Sequence, residues 1–194
     1  MANRGLLMVI AEPPVAMEEE FNAWFDTEHF PERMSVKGFM TGRRFVSCDR
    51  MQRYLVLYDL AEVGVLHSDD YRAHTGDNLT PWSRRILARQ RSTRHEASQI
   101  FPGEALLVPS PRHLLLQFNG LDEGAVRRLR DWIADGTTIQ PGVAQRRLFA
   151  ITSAAAGTYL MIISGTGALA QTLDLAALGD AADRVTLMET FAPY

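Results

Sequence analysis

The chain has 194 residues, 46% hydrophobic and 22% charged, the balance of a globular protein rather than a disordered one. A formal charge of −3 leaves no basic field for nucleic acid, and no apolar run approaches the roughly 20 residues of a membrane span. One cysteine, Cys48, excludes an internal disulfide and a cysteine-built metal site, so the cytoplasm is the expected compartment.

The first predicted element is a strand over residues 6–11, LLMVIA, apolar at every position and therefore covered on both faces. Its apolar run is short and acids follow it, so it reads as a strand rather than a signal peptide. A helix is expected over 17–29, opened by Glu18, Glu19 and Glu20 at the positive end of its dipole. Pro31 disfavours helix at Phe30, so the regular helix should end or kink there. Strands over 39–47 and 53–60 flank a turn and read as a hairpin. Two helical pieces follow, one over 61–67 and one to residue 89, capped by Thr80 with Pro81 at its first position. Tyr71 and His74 fall in a loop between them. A strand over 92–101 completes the first half, and Pro102-Gly103 ends it.

The second half repeats this order. Strands are predicted over 112–119, 142–152, 157–164 and 185–191. A helix over 122–135 carries Val126, Leu129, Trp132 and Ile133 on one stripe and is followed by Gly136; a weaker helix covers 169–178. The order is βαββαβ, twice, a split βαβ or ferredoxin-like pattern, with units at 1–102 and 103–194. Two helices cover one face of a four-stranded sheet. Yet LLMVIA, RYLVLYDL and YLMII are apolar on both faces, so the uncovered faces are expected to meet, sheet to sheet. The fold class is α+β.

Residues 21–45 read FNAWFDTEHFPERMSVKGFMTGRRF. Trp24, Asp26, Glu28-His29, Pro31-Glu32-Arg33, Gly38-Phe39 and Arg43-Arg44 together resemble the dimeric α+β barrel superfamily, in particular its EthD-like members. The resemblance covers most of residues 4–101. Lys37 stands where a proline usually precedes the glycine, and the second half matches in element order only, without the Glu-His pair. It implies an intrachain barrel with a cavity between sheet and helices. Members are similar in fold but range over isomerases, cyclases, cofactor-free monooxygenases, haem-handling enzymes and proteins of no assigned activity, so fold does not give function.

At 100° per residue, Met17, Trp24, Phe25, Glu28 and His29 lie within about 80° of Phe21. His29 would sit at the end of an apolar stripe, where an imidazole serves as general acid or base, with Asp26 or Glu28 orienting it. The alternative is a histidine that closes the helix end on a carbonyl. Glu28 and Glu32 are expected to pair with Arg33, Arg43 or Arg44. Tyr58 shares a strand face with Tyr54 and Val56, either facing the cavity as a donor or packed with its hydroxyl satisfied. Trp24, Phe25, Arg44, Tyr71, His74 and Trp82 complete the expected ligand-binding set, with packing under the sheet edge as the alternative for Trp82. No local spacing builds a metal site, and no Gly-rich fingerprint or nucleophile elbow is present.

The reading is an enzyme without metal or organic cofactor, moving a proton on a small apolar or aromatic carbonyl compound. A non-catalytic binding or structural module and a cofactor-free monooxygenase are the alternatives. A small-molecule ligand is expected, nucleic acid and membrane are not, and pairing of two chains as a homodimer is left open.

Overall fold

The computed structural model describes residues 3–135 and 141–194; Gly136, expected to end a helix, lies outside them. Eight strands form one closed antiparallel barrel: β1 (Gly5–Glu12), β2 (Phe39–Ser47), β3 (Tyr54–Leu60), β4 (Arg91–Phe101), β5 (Arg112–Phe118), β6 (Val143–Ile151), β7 (Tyr159–Gly165) and β8 (Val185–Pro193). Around the ring the order is β1-β3-β2-β8-β5-β7-β6-β4. Cut at the β2–β8 and β4–β6 joins, it gives β4-β1-β3-β2 and β8-β5-β7-β6, the same arrangement twice. The apolar faces meet as expected, and the sheet edges also pair. Both joins are short: β2 meets β8 only over Phe45–Ser47.

Strand alternation sorts the core into three layers. Leu6, Met8 and Ile10 point into the barrel beside Leu115, Phe149 and Ile162 of the second half. Leu7, Val56, Tyr58 and Leu60 point outward, under the first-half helices. Leu114, Leu116, Leu148 and Met161 pack outward under α5 (Glu123–Ala134). Inside the barrel Arg147 bonds Asp59 at 2.6 Å, both essentially inaccessible. The other Asp59 oxygen accepts from the Thr41 hydroxyl at 2.8 Å and the Leu107 amide at 2.7 Å. One buried carboxylate thus ties together both halves and the segment joining them.

The first helix departs from expectation. It does not stop at Phe30. Helix α1 (Glu18–Trp24) runs into a π-helical turn (Phe25–His29) and continues as α2 (Phe30–Ser35). Pro31 has no amide hydrogen and its ring crowds the carbonyl four residues back. The chain widens instead of breaking, and the Phe30 amide donates to the Phe25 carbonyl five residues away. Packing holds α2 in place: at Gly42 an added Cβ would lie 2.7 Å from the Phe30 ring, so glycine there lets α2 rest on β2. The "KGF" turn has Gly38 at φ +98°, a conformation that favours glycine.

The 61–67 helix is a 3₁₀ segment, Val63–His67, and Tyr71 lies in a short helix, α3 (Asp69–Arg72), rather than in a loop. Ser68 caps α3 by accepting the Tyr71 amide. Helix α4 (Pro81–Leu87) is capped by Thr80, whose hydroxyl accepts the Ser83 amide at 3.0 Å. The weak second-half helix is α6 (Leu169–Thr172), followed by 3₁₀ turns over Leu175–Arg184 that are interrupted at Gly179.

Candidate active site

Between the outer face of β1 and β3 and the roof made by α1, the π turn and α4 lies a cavity of about 240 Å³. Its floor is Leu7, Val9, Ala11, Val56 and Tyr58; its roof is Phe21, Trp24 and Phe25. Exposed Gly76, Ser92 and Arg94 also line it, so it reaches the surface there. An engineered apolar cavity of about 150 Å³ holds benzene. This one therefore suits a substituted ring or a small bicycle.

Three of the polar side chains on its wall carry a buried atom without a partner. His29 packs against the Trp24 ring at 4.4 Å between centroids and the Phe25 ring at 5.5 Å. Its Nδ1 is buried without a hydrogen bond, so it closes no carbonyl. Burial, then the nearby Arg33 charge, lowers its pKa to about 3, leaving the ring neutral at pH 7. The Tyr58 hydroxyl is likewise buried and unpartnered. Burial raises its pKa, a rise that Arg33 partly offsets. The third group is Arg33, only 4% exposed. One of its terminal nitrogens donates to the His74 carbonyl at 2.9 Å, and the other, Nη1, has no acceptor. Its guanidinium lies 5.2 Å from the Tyr71 ring centre, and among the described residues no carboxylate pairs with it. Arg33 is thus a buried cation without a counter-ion beside an apolar cavity, a costly arrangement unless an anion offsets it.

Of the residues singled out in the sequence, Trp24, Phe25, His29, Tyr58 and Tyr71 line one cavity. Other expected members stand elsewhere. Asp26 is exposed and bonds Arg44 at 3.1 Å, so it does not orient His29. Glu28 accepts from the Thr80 hydroxyl at 2.6 Å and the Ser83 hydroxyl at 2.8 Å, and Ser83 accepts the Trp24 indole N–H at 3.0 Å. Glu28 thus clamps the start of α4 to the first helix, and it pairs with neither His29 nor an arginine. Arg44 sits outside the cavity, 3.9 Å over the Tyr194 ring and 4.5 Å over that of Phe25. Trp82 donates to Glu20 at 3.0 Å and does not line the cavity, and His74 contributes its carbonyl alone. The residue missed as a site member is Arg33, one turn beyond His29. The proline rule ends the helix before Arg33, whereas the helix continues through Phe30–Ser35.

No protein-family model matches the sequence, and no curated protein matches it. Solved structures do. An anthrone oxidase-like protein superposes with TM-score 0.70 at 10% identity, over 100% of this chain and 92% of that one. A chlorite dismutase candidate gives 0.63 at 9% identity over 100% and 96%, and a monooxygenase candidate from Lactobacillus acidophilus NCFM gives 0.62 at 8% over 99% and 93%. The fold is the dimeric α+β barrel. All eight strands of this dimeric α+β barrel belong to one chain, and the cavity lies beside β1 and β3. Among the described residues no three His, Cys, Asp or Glu side chains are grouped to hold a metal ion, and no helix is long and apolar enough to cross a membrane.

Proposed function

We propose that the first-half cavity is an active site that moves a proton on a small enolisable aromatic or apolar carbonyl compound, in the manner of an isomerase, cyclase or dehydratase. The observation that carries this is that three side chains lining one apolar cavity, His29, Tyr58 and Arg33, each hold a buried polar atom without a partner: Nδ1, Oη and Nη1. Neutral His29 takes the proton from the carbon next to the carbonyl. The C–H electron pair moves into the carbonyl and leaves an enolate, whose oxygen accepts hydrogen bonds from Arg33 and Tyr58. An imidazole with a pKa of about 3 is a weak base in the empty cavity. Both causes of that low value, burial and the Arg33 charge, are offset as negative charge grows on the substrate beside them. The base is thus strengthened in the transition state rather than in the ground state. Return of the proton to the same carbon exchanges it with solvent; return to another carbon isomerises the compound.

A cofactor-free monooxygenase shares this first step, because an enolate able to give an electron to oxygen is the species such chemistry needs. The likeness to an anthrone oxidase-like protein favours keeping it as the second reading. Haem fits less well. The one second-half histidine, His113, has both ring nitrogens engaged, with the Ser164 hydroxyl at 2.9 Å and the Ser110 carbonyl at 3.1 Å. His29 faces a space below the roughly 300–1,000 Å³ of cofactor pockets. The EthD-like kinship, the units 1–102 and 103–194, a cytoplasmic location and homodimer formation belong to the same proposal. The test is deuterium incorporation from D₂O into a bicyclic aryl ketone, followed by NMR. His29→Gln should abolish exchange with the melting temperature kept, and an oxygen electrode separates the two readings. Exchange that survives His29→Gln would refute the assignment.

A further inference from the structure

The cavity has a second polar end. Strand register fixes its length. Leu7 pairs with Tyr58 on one side, and two residue pairs along β1, Ala11 pairs with Ser92 on the other. Four residues of strand span about 13 Å. Tyr58, with Arg33, marks one end of the floor. Ser92 marks the other, and two residues before it is Gln90, which also lines the cavity. The Gln90 amide N–H is used by the Ile86 carbonyl at 3.2 Å, but its side-chain Oε1 is buried with no hydrogen bond. Between the ends the wall is mainly apolar, with Val9 and Val56 below and Trp24 and Phe25 above; Arg94, opposite Val9, is held by Glu96 at 2.7 Å.

We infer that Gln90 is a specificity-determining residue and that the substrate is a hydroxyaryl carbonyl compound: an aromatic body with its carbonyl at the Arg33–Tyr58 end and a hydroxyl at the Gln90 end. A buried carboxamide oxygen without a donor costs free energy until a ligand supplies one. A hydroxyl both donates and accepts, so it satisfies the carboxamide in either orientation of its oxygen and nitrogen. A ligand lacking that group leaves the carboxamide unpaired, and so the site rejects it. The direction of the substrate follows from the same pattern: Arg94, the other arginine on the wall, is paired with Glu96 at 2.7 Å, whereas Arg33 has no counter-ion among the described residues and is free to meet the enolate.

The inference rests on the proton-transfer reading for the carbonyl end, and its test separates the two. Binding of 2-tetralone and 6-hydroxy-2-tetralone would be measured by calorimetry, and α-deuterium exchange of each by NMR. Wild type should bind the hydroxy compound about tenfold more tightly, the worth of one buried hydrogen bond. Gln90→Leu should remove that preference and leave binding of the parent ketone unchanged or tighter; Gln90→Glu, which keeps an acceptor, should retain the preference. Equal binding of the two ketones by wild type, or a preference that survives in Gln90→Leu, would overturn the role of Gln90 even if both ketones exchange. A Gln90-dependent preference without exchange would support the inference and refute the proton-transfer reading. If neither ketone binds, both fall.

Discussion

Replacing Arg33 by methionine separates a binding role from a structural one, because the two roles predict opposite stabilities. Arg33 is 4% exposed, with one bond to the His74 carbonyl at 2.9 Å and the Tyr71 ring 5.2 Å away. Losing that charged hydrogen bond costs about 1.5–3 kcal/mol, and losing the ring contact about 0.5–2 kcal/mol. Against this, the variant no longer holds an ion out of water without a counter-charge, a penalty of several kcal/mol. The terms nearly cancel, so Arg33→Met should melt within about 4 °C of wild type, equivalent to roughly 1 kcal/mol in a chain of this size. Its affinity for an enolisable ketone or its enol-mimicking phenol should fall by 10- to 100-fold, the worth of a charged hydrogen bond. The paired arginine gives the contrast. Asp59→Asn strands Arg147, which is wholly buried and already has two nitrogens without acceptors, so a loss of about 3–5 kcal/mol is expected there. Thermal unfolding by circular dichroism and ligand titration read both variants. If Arg33→Met destabilised as much as Asp59→Asn while ligands still bound normally, Arg33 would be a structural cation and the oxyanion site would be wrong.

Two further outcomes follow from the same geometry. His29 has a folded pKa of about 3, below its unfolded value of about 6.5, so between these values the unfolded chain binds more protons. Stability should therefore rise with pH across that window, be complete above pH 6.5, and be lost as pH falls toward 3; His29→Phe should flatten part of this slope in acid-unfolding curves. His113, lowered to about 4 by burial, and His95, also lowered by burial, contribute to the same slope in the same direction. Glu28→Ala should lower stability by about 1–3 kcal/mol through the unpaired Thr80 and Ser83 hydroxyls, whereas Glu28→Gln, which keeps an acceptor, should restore most of it. Neither variant should change the pH profile of exchange; a shifted profile in Glu28→Gln would restore Glu28 to the catalytic group.

How far the sequence discloses this site depends on one helix. The barrel itself is legible, because strands such as RYLVLYDL, buried along their whole length, demand cover on both faces, and the βαββαβ order read twice supplies it. The two edge joins are not, since backbone pairing between distant strands leaves no mark in residue type. Within the site, Trp24, Phe25 and Tyr58 follow from apolar periodicity alone. Arg33 does not, because the proline rule ends the helix before reaching it. Continued past Pro31, the same helix places Arg33 one turn after His29 on a shared face. Glu28 fails for a related reason: a fixed 100° step puts it on the stripe, but residues in the wider turn advance by a smaller angle, and Glu28 comes to face α4. The π turn is thus more than an accommodation of proline. It turns Glu28 outward to clamp α4, keeps His29 against Trp24, and carries the helix far enough for Arg33 to reach the cavity. The spacing E-H-x-P-x-R lets one helix set a clamp, a cavity-lining histidine and a cavity-lining cation in successive positions across a proline. That spacing is also why the site's cation lies beyond the point where sequence rules expect the helix to stop.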